Sequence, residues 1–471
     1  MFGNSDEKKY DLEDPQRAPS VKVEDSHPLP IQEDAVFGEI TEGGPNYRNV
    51  GLMGTVVLMM KTQVGLGVLS IPSAFDVLGL IPGIICFCAI ATITTWSGYM
   101  VGVFKLKHSQ VYGIDDVGGL FFGRVGREAL GVSVVLYWIF VTGSGMLSTS
   151  IGLNSVSTHG ACTAVFVAVA AIVGFGFGSI QTLGRVTWLA WIGLTCLLTA
   201  IFTLTVSVGV QDRPAAAPQT GPWESDYKLF TSPSFTEAVS ALASLVFAFA
   251  GVPSYFPIVS EMRDPRRYTR ALIMCQAGVC SIYIVISIVV YYFCGSYVAS
   301  PALGSAGVTM KRVCYGLALP GLIVTTALYT HFSAKYIFVR ILRGSKHLTN
   351  NSPIHWGAWI GCTAGVALVA YIIASAVPVF GSLISLIGAL FGTLMSFQPM
   401  GGMWLYDNWS KGKANRTTKW TLMVCWSCFV IISGTFLMVA GTYSSVVGII
   451  DDYKESGGSA AWSCADNSNS T

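Results

Sequence analysis

The chain has 471 residues and a formal net charge of +2, and only 11% of its side chains are charged, against roughly 25% in a typical soluble domain. With 52% hydrophobic residues and a mean hydropathy of +0.57, this composition excludes an ordinary water-soluble enzyme, and the near-neutral net charge gives no reason to expect a nucleic-acid partner. Apolar runs of about 20 residues, long enough to cross a lipid bilayer, recur between residues 51 and 447. We therefore expect an all-α polytopic membrane protein.

Residues 1–50 contain eleven Asp and Glu, five Lys and Arg and five Pro, which predicts a disordered acidic tail in the cytoplasm. No cleavable signal is predicted before the first span. We expect eleven spans to follow, five within 51–209, five within 236–407 and one at 420–447. The connection at 210–235 is predicted to be an extracellular loop, and 448–471 an extracellular tail. The predicted spans are 51–77, 80–104, 129–157, 161–180, 186–209, 236–259, 271–297, 314–342, 356–376, 381–407 and 420–447.

The distribution of basic residues predicts the orientation of these spans. An odd number of spans places the two termini on opposite sides of the membrane. If the N-terminus is cytoplasmic, the cytoplasmic segments hold 22 Lys and Arg and the extracellular segments hold five. Because basic residues favour the cytoplasmic side, this asymmetry predicts a cytoplasmic N-terminus and an extracellular C-terminus.

Two spans carry glycine and proline where a membrane helix should be continuous. The first reads KTQVGLGVLSIP from Lys61 to Pro72, and the sixth reads FAFAGVPSYFP from Phe247 to Pro257. Proline removes a backbone donor and glycine weakens a helix, so both spans are candidates for local unwinding. Such a pair, five spans apart, is typical of transporters built from inverted repeats. The alternative for each span is an ordinary kink.

Other motifs point away from enzyme, cofactor or metal chemistry. Gly65 and Gly67 follow no strand and lack the downstream GK[ST] of a phosphate-binding loop. Ser144 has Thr142 where a serine protease motif needs glycine. The cysteines show no zinc spacing. Most of the twelve cysteines fall in apolar runs, whereas oxidation remains open for three near span ends or in the tail, namely Cys162, Cys314 and Cys464.

Ionisable residues inside or at the edge of the spans are few, and four of them are candidates for a function: Lys61 in the first span, His331 and Lys335 in the eighth, and Glu261 at the end of the sixth. A charge at the centre of a membrane helix costs about 2.5 to 3.5 kcal/mol on insertion scales, which makes each residue a functional hypothesis. The alternative for Lys61, Lys335 and Glu261 is that the charged group reaches the cytoplasmic interface.

The Gly65-x-Gly67-x-Leu69-x-x-Pro72 string, the Phe247–Gly251 string, the eleven spans and the acidic tail together resemble the amino acid/auxin permease family, from about residue 48 to 447. That resemblance implies five-plus-five inverted repeats, at 51–209 and 236–407, with broken first and sixth helices and one extra helix at 420–447. It also implies secondary transport in a membrane such as the plasma membrane, coupled to protons rather than sodium.

On this basis we expect a neutral amino acid to bind between the two breaks. The amides of Gly65, Leu66 and Gly67 are predicted to hold its carboxylate. Its ammonium group would meet the carbonyls of the sixth-span break. Tyr137 and Trp138 are candidate walls, and no Asp or Glu lies close enough to recognise a cationic side chain. The predicted carbonyl donors are Phe249, Ala250 and Gly251.

Proton coupling is predicted for three residues, in the order Lys61, Lys335 and His331. If the repeat arrangement holds, we expect them to converge between the first and eighth spans. A membrane sensor or a channel is the alternative function. The sequence favours neither, because it offers no soluble output domain and no ring of polar residues along a continuous pore.

Overall fold

The structure is a computed structural model. It describes residues 49–455 apart from 215, 219, 349–350, 378 and 415, together with 33–34, 38–39, 462 and 464–468. Most of the predicted acidic tail and part of the predicted extracellular tail lie outside these residues. Two short strands, β1 (Glu33–Asp34) and β2 (Gly38–Glu39), pair antiparallel.

The described chain is otherwise helical, which confirms the predicted all-α membrane class. Within the described residues, nine helical segments are long and apolar enough to span a membrane, and the bent pair Leu52–Gln63 and Gly67–Leu78 makes ten. A shorter apolar helix at Thr163–Gly178 falls on the predicted fourth span. The count of eleven therefore stays a prediction. The helices are α1 (Leu52–Gln63), α2 (Ile71–Leu78), α3 (Leu80–Lys107), α4 (Ile114–Ser157), α5 (Thr163–Gly178), α6 (Leu183–Val210), α7 (Phe235–Ala248), α8 (Tyr255–Ser260), α9 (Tyr268–Cys294), α10 (Val308–Leu342), α11 (Pro353–Ala376), α12 (Phe380–Ile387), α13 (Thr393–Ser396), α14 (Gln398–Ala414) and α15 (Thr418–Glu455).

The third span begins earlier than its hydropathy suggests. Helix α4 starts at Ile114, whereas the sequence predicted a loop until residue 128. The helix is kinked at Phe122 and Gly123, and Gly123 has a φ of 62°, a conformation that favours glycine. The charged residues of this segment lower its hydropathy, so the start of the helix was not predicted from the sequence.

Local sequence explains where several helices begin. Ser234 and Glu237 form a reciprocal capping box at the start of α7. Ser352 caps α11 and is followed by Pro353 in its first turn. Pro72 lies in the first turn of α2, where a missing N–H costs no helical hydrogen bond.

The first and sixth spans run antiparallel at the centre of the fold. Val50, before α1, pairs with Met262, after α8, and a Cβ atom placed on Gly67 would lie 2.4 Å from the Cα atom of Ala248. The two interruptions therefore lie at the same level, which is the arrangement that an inverted repeat predicts. The eighth span, α10, packs beside them and against α4, α5, α6 and α11.

A disulfide joins Cys162, at the start of α5, to Cys464 in the C-terminal segment. The same segment is held by hydrogen bonds from the Thr163 hydroxyl to the Ala465 carbonyl at 2.6 Å and between the side-chain amides of Asn154 and Asn467 at 2.7 Å. The sequence left the oxidation of these cysteines open. Their pairing across 302 residues places the C-terminal segment beside the loop between the third and fourth spans.

Candidate functional site

The first-span break exposes backbone donors. Residues 64–66 form a turn between α1 and a short 3-10 turn at Gly67–Leu69. Within the described residues, the N–H groups of Gly65, Leu66 and Gly67 have no hydrogen-bond acceptor, whereas the Val64 N–H still bonds to the Met60 carbonyl at 2.6 Å. All three residues are buried. Buried N–H groups without acceptors are rare in proteins, so this turn is a ready site for an anionic group.

Lys61 lies beneath this turn and is fully buried. Its ammonium group donates to the Thr325 hydroxyl of α10 at 2.5 Å and to the Val64 carbonyl at 3.2 Å. Among the described residues no carboxylate lies within 4.0 Å of its Nζ atom, so two neutral oxygens solvate it. Thus Lys61 lies at the contact of the first and eighth spans.

Close packing holds the two breaks together. A Cβ atom on Gly251 would lie 2.7 Å from the hydroxyl of Thr62 and 2.9 Å from Cγ of Gln63. Gly65 has more room, because its nearest neighbour would be Thr325 Oγ1 at 3.3 Å. A Cβ atom at 67 would displace the Ala248 backbone, and one at 251 would displace the side chains of Thr62 and Gln63.

The carbonyls of the sixth-span break are partly in use. The Tyr137 hydroxyl of α4 donates to the Ala250 carbonyl, and the Ser254 N–H donates to the Gly251 carbonyl at 3.0 Å. A carbonyl oxygen can accept a second hydrogen bond, so an ammonium group could still bind there. The Phe249 carbonyl accepts no hydrogen bond within the described residues.

A small cavity lies where these elements meet. Its volume is about 10 Å³, comparable with the roughly 10–15 Å³ that one water molecule needs. An amino acid does not fit in it in this conformation. Among the described residues, no Asp or Glu forms part of its walls. They are formed by Lys61, Thr62, Gln63, Gly65, Leu66, Gly67, Tyr137, Val141, Phe247, Thr325 and Tyr329.

Not every predicted binding residue lines this cavity. The ring of Phe249 points elsewhere and packs on Phe87 and Tyr283, with ring centres 5.2 and 5.5 Å away. Phe247, two residues earlier, is the phenylalanine in the cavity wall. Ala250 and Gly251 approach the cavity through the contacts that Tyr137 and Thr62 make with them.

The three residues predicted for proton coupling do not converge. Lys335 lies ten residues beyond Thr325 on α10, roughly 15 Å along the helix, and forms an ion pair with Glu261. His331 packs edge-to-face on Trp359, at 5.5 Å between ring centres. Glu261 is 1% exposed, so its carboxylate does not reach the interface as the alternative reading of the sequence required.

Several polar residues of the site were not predicted from the sequence. The Tyr329 hydroxyl donates to the Thr62 carbonyl at 2.6 Å, and the Gln63 amide donates to the Tyr255 hydroxyl at 2.5 Å. Both bonds bridge a broken span to a neighbouring one. Only the position of Gln63, next to the glycine break, offered a signal. In the part of the chain that the structure describes, no cluster of three His, Cys, Asp or Glu residues could hold a metal ion.

This chain is similar to a known protein family and to several known proteins. A family model described as "Transmembrane amino acid transporter protein" matches residues 48–447. The chain belongs to this family. Its members and the relatives below are transporters rather than enzymes, so the predicted amino acid transporter family is confirmed.

Two fungal proteins are similar over nearly the whole chain. A "Transmembrane transporter" from Gibberella moniliformis is 34% identical, covering 96% of this chain and 97% of that protein. The "N amino acid transport system protein" of Neurospora crassa is 30% identical, covering 91% of this chain and 91% of that protein.

Among solved structures, a nucleobase-cation-symport-1 family transporter in a closed conformation aligns with a TM-score of 0.53 and 12% identity, over 90% of this chain and 97% of that one. At this identity the likeness shows the fold alone.

Proposed function

We propose that this transporter imports neutral aliphatic and aromatic amino acids together with protons, by alternating access to the cavity between the broken first and sixth spans. The observation that carries the proposal is the cavity wall. It holds the unbonded amides of Gly65–Gly67, and the carbonyls of Ala250 and Gly251 lie behind it, next to the wall residues Tyr137 and Thr62. An amino acid carries a carboxylate and an ammonium group, and these two sets of backbone groups complement it.

The remaining walls favour a neutral side chain. Leu66, Val141 and Phe247 are apolar, and none of the described lining residues carries a carboxylate that could pair with a cationic substrate. Lys61 is already bonded to Thr325 and Val64. Amino acid transport in the Neurospora crassa relative supports the substrate class.

The small volume of the cavity supports alternating access. A substrate requires several hundred Å³ in typical ligand sites, so the spans around the cavity must separate before it binds. The bond from Tyr137 to Ala250 joins the third span to the sixth. The bond from Tyr329 to Thr62 joins the eighth span to the first. These bonds exchange for substrate or water when the site opens.

Lys61 is the residue we propose for proton coupling. Its charge is buried at the contact of the first and eighth spans without a carboxylate partner, so its protonation bears directly on how these spans pack. One proton entering through 100 mV provides about 2.3 kcal/mol, enough for roughly fortyfold accumulation, since each tenfold gradient costs about 1.4 kcal/mol. Lys335 and His331 lie away from the cavity and are not needed for this role.

The orientation proposed is a cytoplasmic N-terminus in the plasma membrane. The disulfide supports it, because disulfides persist on the oxidising side of a membrane. Cys464 belongs to the tail that the basic-residue distribution places outside.

Uptake into vesicles containing the purified protein tests the proposal. All twenty amino acids should be compared with an inward proton gradient, with a proton uncoupler, and with sodium replaced by choline. We expect accumulation of aliphatic and aromatic amino acids that the uncoupler abolishes and choline does not. Accumulation that requires sodium would refute proton coupling, and binding without exchange of labelled substrate would favour a sensor.

A further inference from the structure

A buried ion pair lies between the cavity and the cytoplasmic ends of the spans. Lys335 of α10 bonds to Glu261, which follows α8, and their side chains are 3% and 1% exposed. A second ion pair of this helix, Arg340 with Glu128, is 33% and 55% exposed. Removing one partner of a buried pair leaves an uncompensated charge, whereas an exposed pair is replaced by water at little cost.

Glu261 also contacts two further segments of the chain, the residues before α1 and the start of α6. The Val50 N–H donates to its carbonyl at 3.1 Å, and the Arg263 N–H donates to the Val50 carbonyl at 2.9 Å. The start of the first span is thus tied to the end of the sixth. Its carboxylate faces the backbone of Leu183, the first residue of α6, where a helix N-terminus favours negative charge.

The ion pair lies where a path from the cavity to one side of the membrane would run. Glu261 lies ten residues beyond Gly251, and Lys335 lies ten residues beyond Thr325, both on the side of Val50. In the proposed orientation this is the cytoplasmic side. Any path from the cavity to the cytoplasm between the sixth and eighth spans passes the pair, so opening that path requires the two charges to separate and become hydrated.

We propose that Glu261 and Lys335 are positioning residues for transport, whose ion pair holds the cytoplasmic side closed while the cavity is open to the outside. This inference rests on the proposed function. Because the pair is dry only when the path is closed, it stabilises the closed arrangement over the open one. Neither side chain touches the substrate, and loss of either shifts the protein toward the inward-open arrangement.

The test measures access from the cytoplasm directly. Ser254 is fully buried, lies on the cavity side of Glu261 and bonds to Trp138, so Ser254→Cys places a nearly isosteric thiol in the closed path. Inside-out vesicles are treated with a membrane-impermeant maleimide, and labelling of the peptide that contains position 254 is followed by mass spectrometry. The peptide of the buried native Cys275 serves as an internal reference.

We expect Glu261→Gln and Lys335→Met to raise the labelling rate about tenfold, equivalent to about 1.4 kcal/mol between the two arrangements. Lys335→Arg keeps the charge and should label as slowly as the parent. Glu128→Gln and Arg340→Gln, which break the exposed pair, are the matched controls and should also label slowly.

Unchanged labelling in both Glu261→Gln and Lys335→Met would overturn the proposal. If Glu261→Gln does not fold, the comparison of Lys335→Met with Lys335→Arg decides, because those variants differ in charge at the same position. Equal rates in that comparison would also overturn it. The labelling needs no substrate. Its result therefore tests the ion-pair proposal separately from the proposed transport function, which the uptake experiment tests.

Discussion

Gly67 has the least space for a side chain among the residues of the candidate site. Its Cβ atom would lie 2.4 Å from the Ala248 backbone, so even alanine must push the two broken spans apart. We expect Gly67→Ala to abolish uptake and to destabilise the protein by about 1 to 3 kcal/mol, the usual cost of overpacking. Gly361→Ala is the control, because no atom lies within 4 Å of its Cβ position. Normal uptake by Gly67→Ala in the vesicle assay would mean that this contact does not form the site.

The two phenylalanines of the sixth-span break should differ in effect. Phe247 lines the cavity, so Phe247→Ala enlarges it and should shift the ratio of kcat/KM values toward larger aromatic substrates. Phe249 packs on Phe87 and Tyr283 away from the cavity, so Phe249→Ala should leave that ratio unchanged and cost about 3 to 5 kcal/mol of stability. Competition between leucine and tryptophan for uptake measures the ratio. The opposite pattern would place Phe249 in the substrate pocket.

Lys61 can be tested apart from substrate binding. Lys61→Met keeps most of the side-chain volume but removes the charge that bonds to Thr325 and Val64. We expect exchange of labelled substrate to continue while accumulation driven by a proton gradient is lost. Lys107→Met, at the end of α3 with 44% of its side chain exposed, is the control. If Lys61→Met accumulates substrate as well as the parent does, Lys61 is not the residue that couples transport to protons.

At the scale of elements, the loop between the fifth and sixth spans ties the ends of three helices together. The Leu80 and Ile81 N–H groups of α3 donate to the carbonyls of Lys228 and Leu229 at 3.0 and 3.1 Å. These donors have no partner within their own helix, so the loop acts as their cap. The Thr231 hydroxyl donates to the Val77 carbonyl at 2.6 Å, and Asp226 in the same loop accepts from Ser296, beyond α9.

This loop should make stability depend on acid pH. Partial burial raises the pKa of Asp226, but hydrogen bonds from Ser296 and the Lys228 charge outweigh it, so the pKa lies below its usual value. A carboxyl group with a lower pKa in the folded state stabilises the protein above its unfolded pKa of about 3.9, and this contribution disappears as the pH falls through the folded pKa. We expect Tm to fall less steeply in Asp226→Asn than in the parent between about pH 5 and about pH 3. Glu224→Gln, in the same loop, is the control, and equal slopes for parent and Asp226→Asn would contradict the argument.

The elements show which features a sequence can predict. Spans and breaks follow from hydropathy and from glycine and proline, because these act within one helix. The direction of a side chain beside a break cannot be predicted from these sequence features, because the dihedral angles of the unwound turn decide whether Phe247 or Phe249 faces the cavity. The burial of Glu261 was missed for a related reason. Its partner Lys335 is 74 residues away, and only the packing of two spans brings them together.

At the scale of the whole molecule, the antiparallel contact of the first and sixth spans joins the two predicted repeats at one level. The cavity, Lys61 and the Glu261–Lys335 pair follow one another from this level toward the side of Val50. The disulfide at Cys162 lies at the other ends of the spans, after α4. The two sides of the molecule are therefore chemically distinct, which makes its orientation testable.

The disulfide predicts which side faces outward. Intact cells are treated with a membrane-impermeant phosphine and then an impermeant maleimide, and sealed inside-out vesicles receive the same reagents. We expect the peptides containing Cys162 and Cys464 to be labelled in cells only after reduction, and to remain unlabelled in the vesicles, because the basic-residue distribution places both cysteines outside. Cys464→Ser provides the control, since it should leave Cys162 reactive in cells without reduction. Labelling of both cysteines only in inside-out vesicles would invert the topology and, with it, the side on which the Glu261–Lys335 pair closes the path.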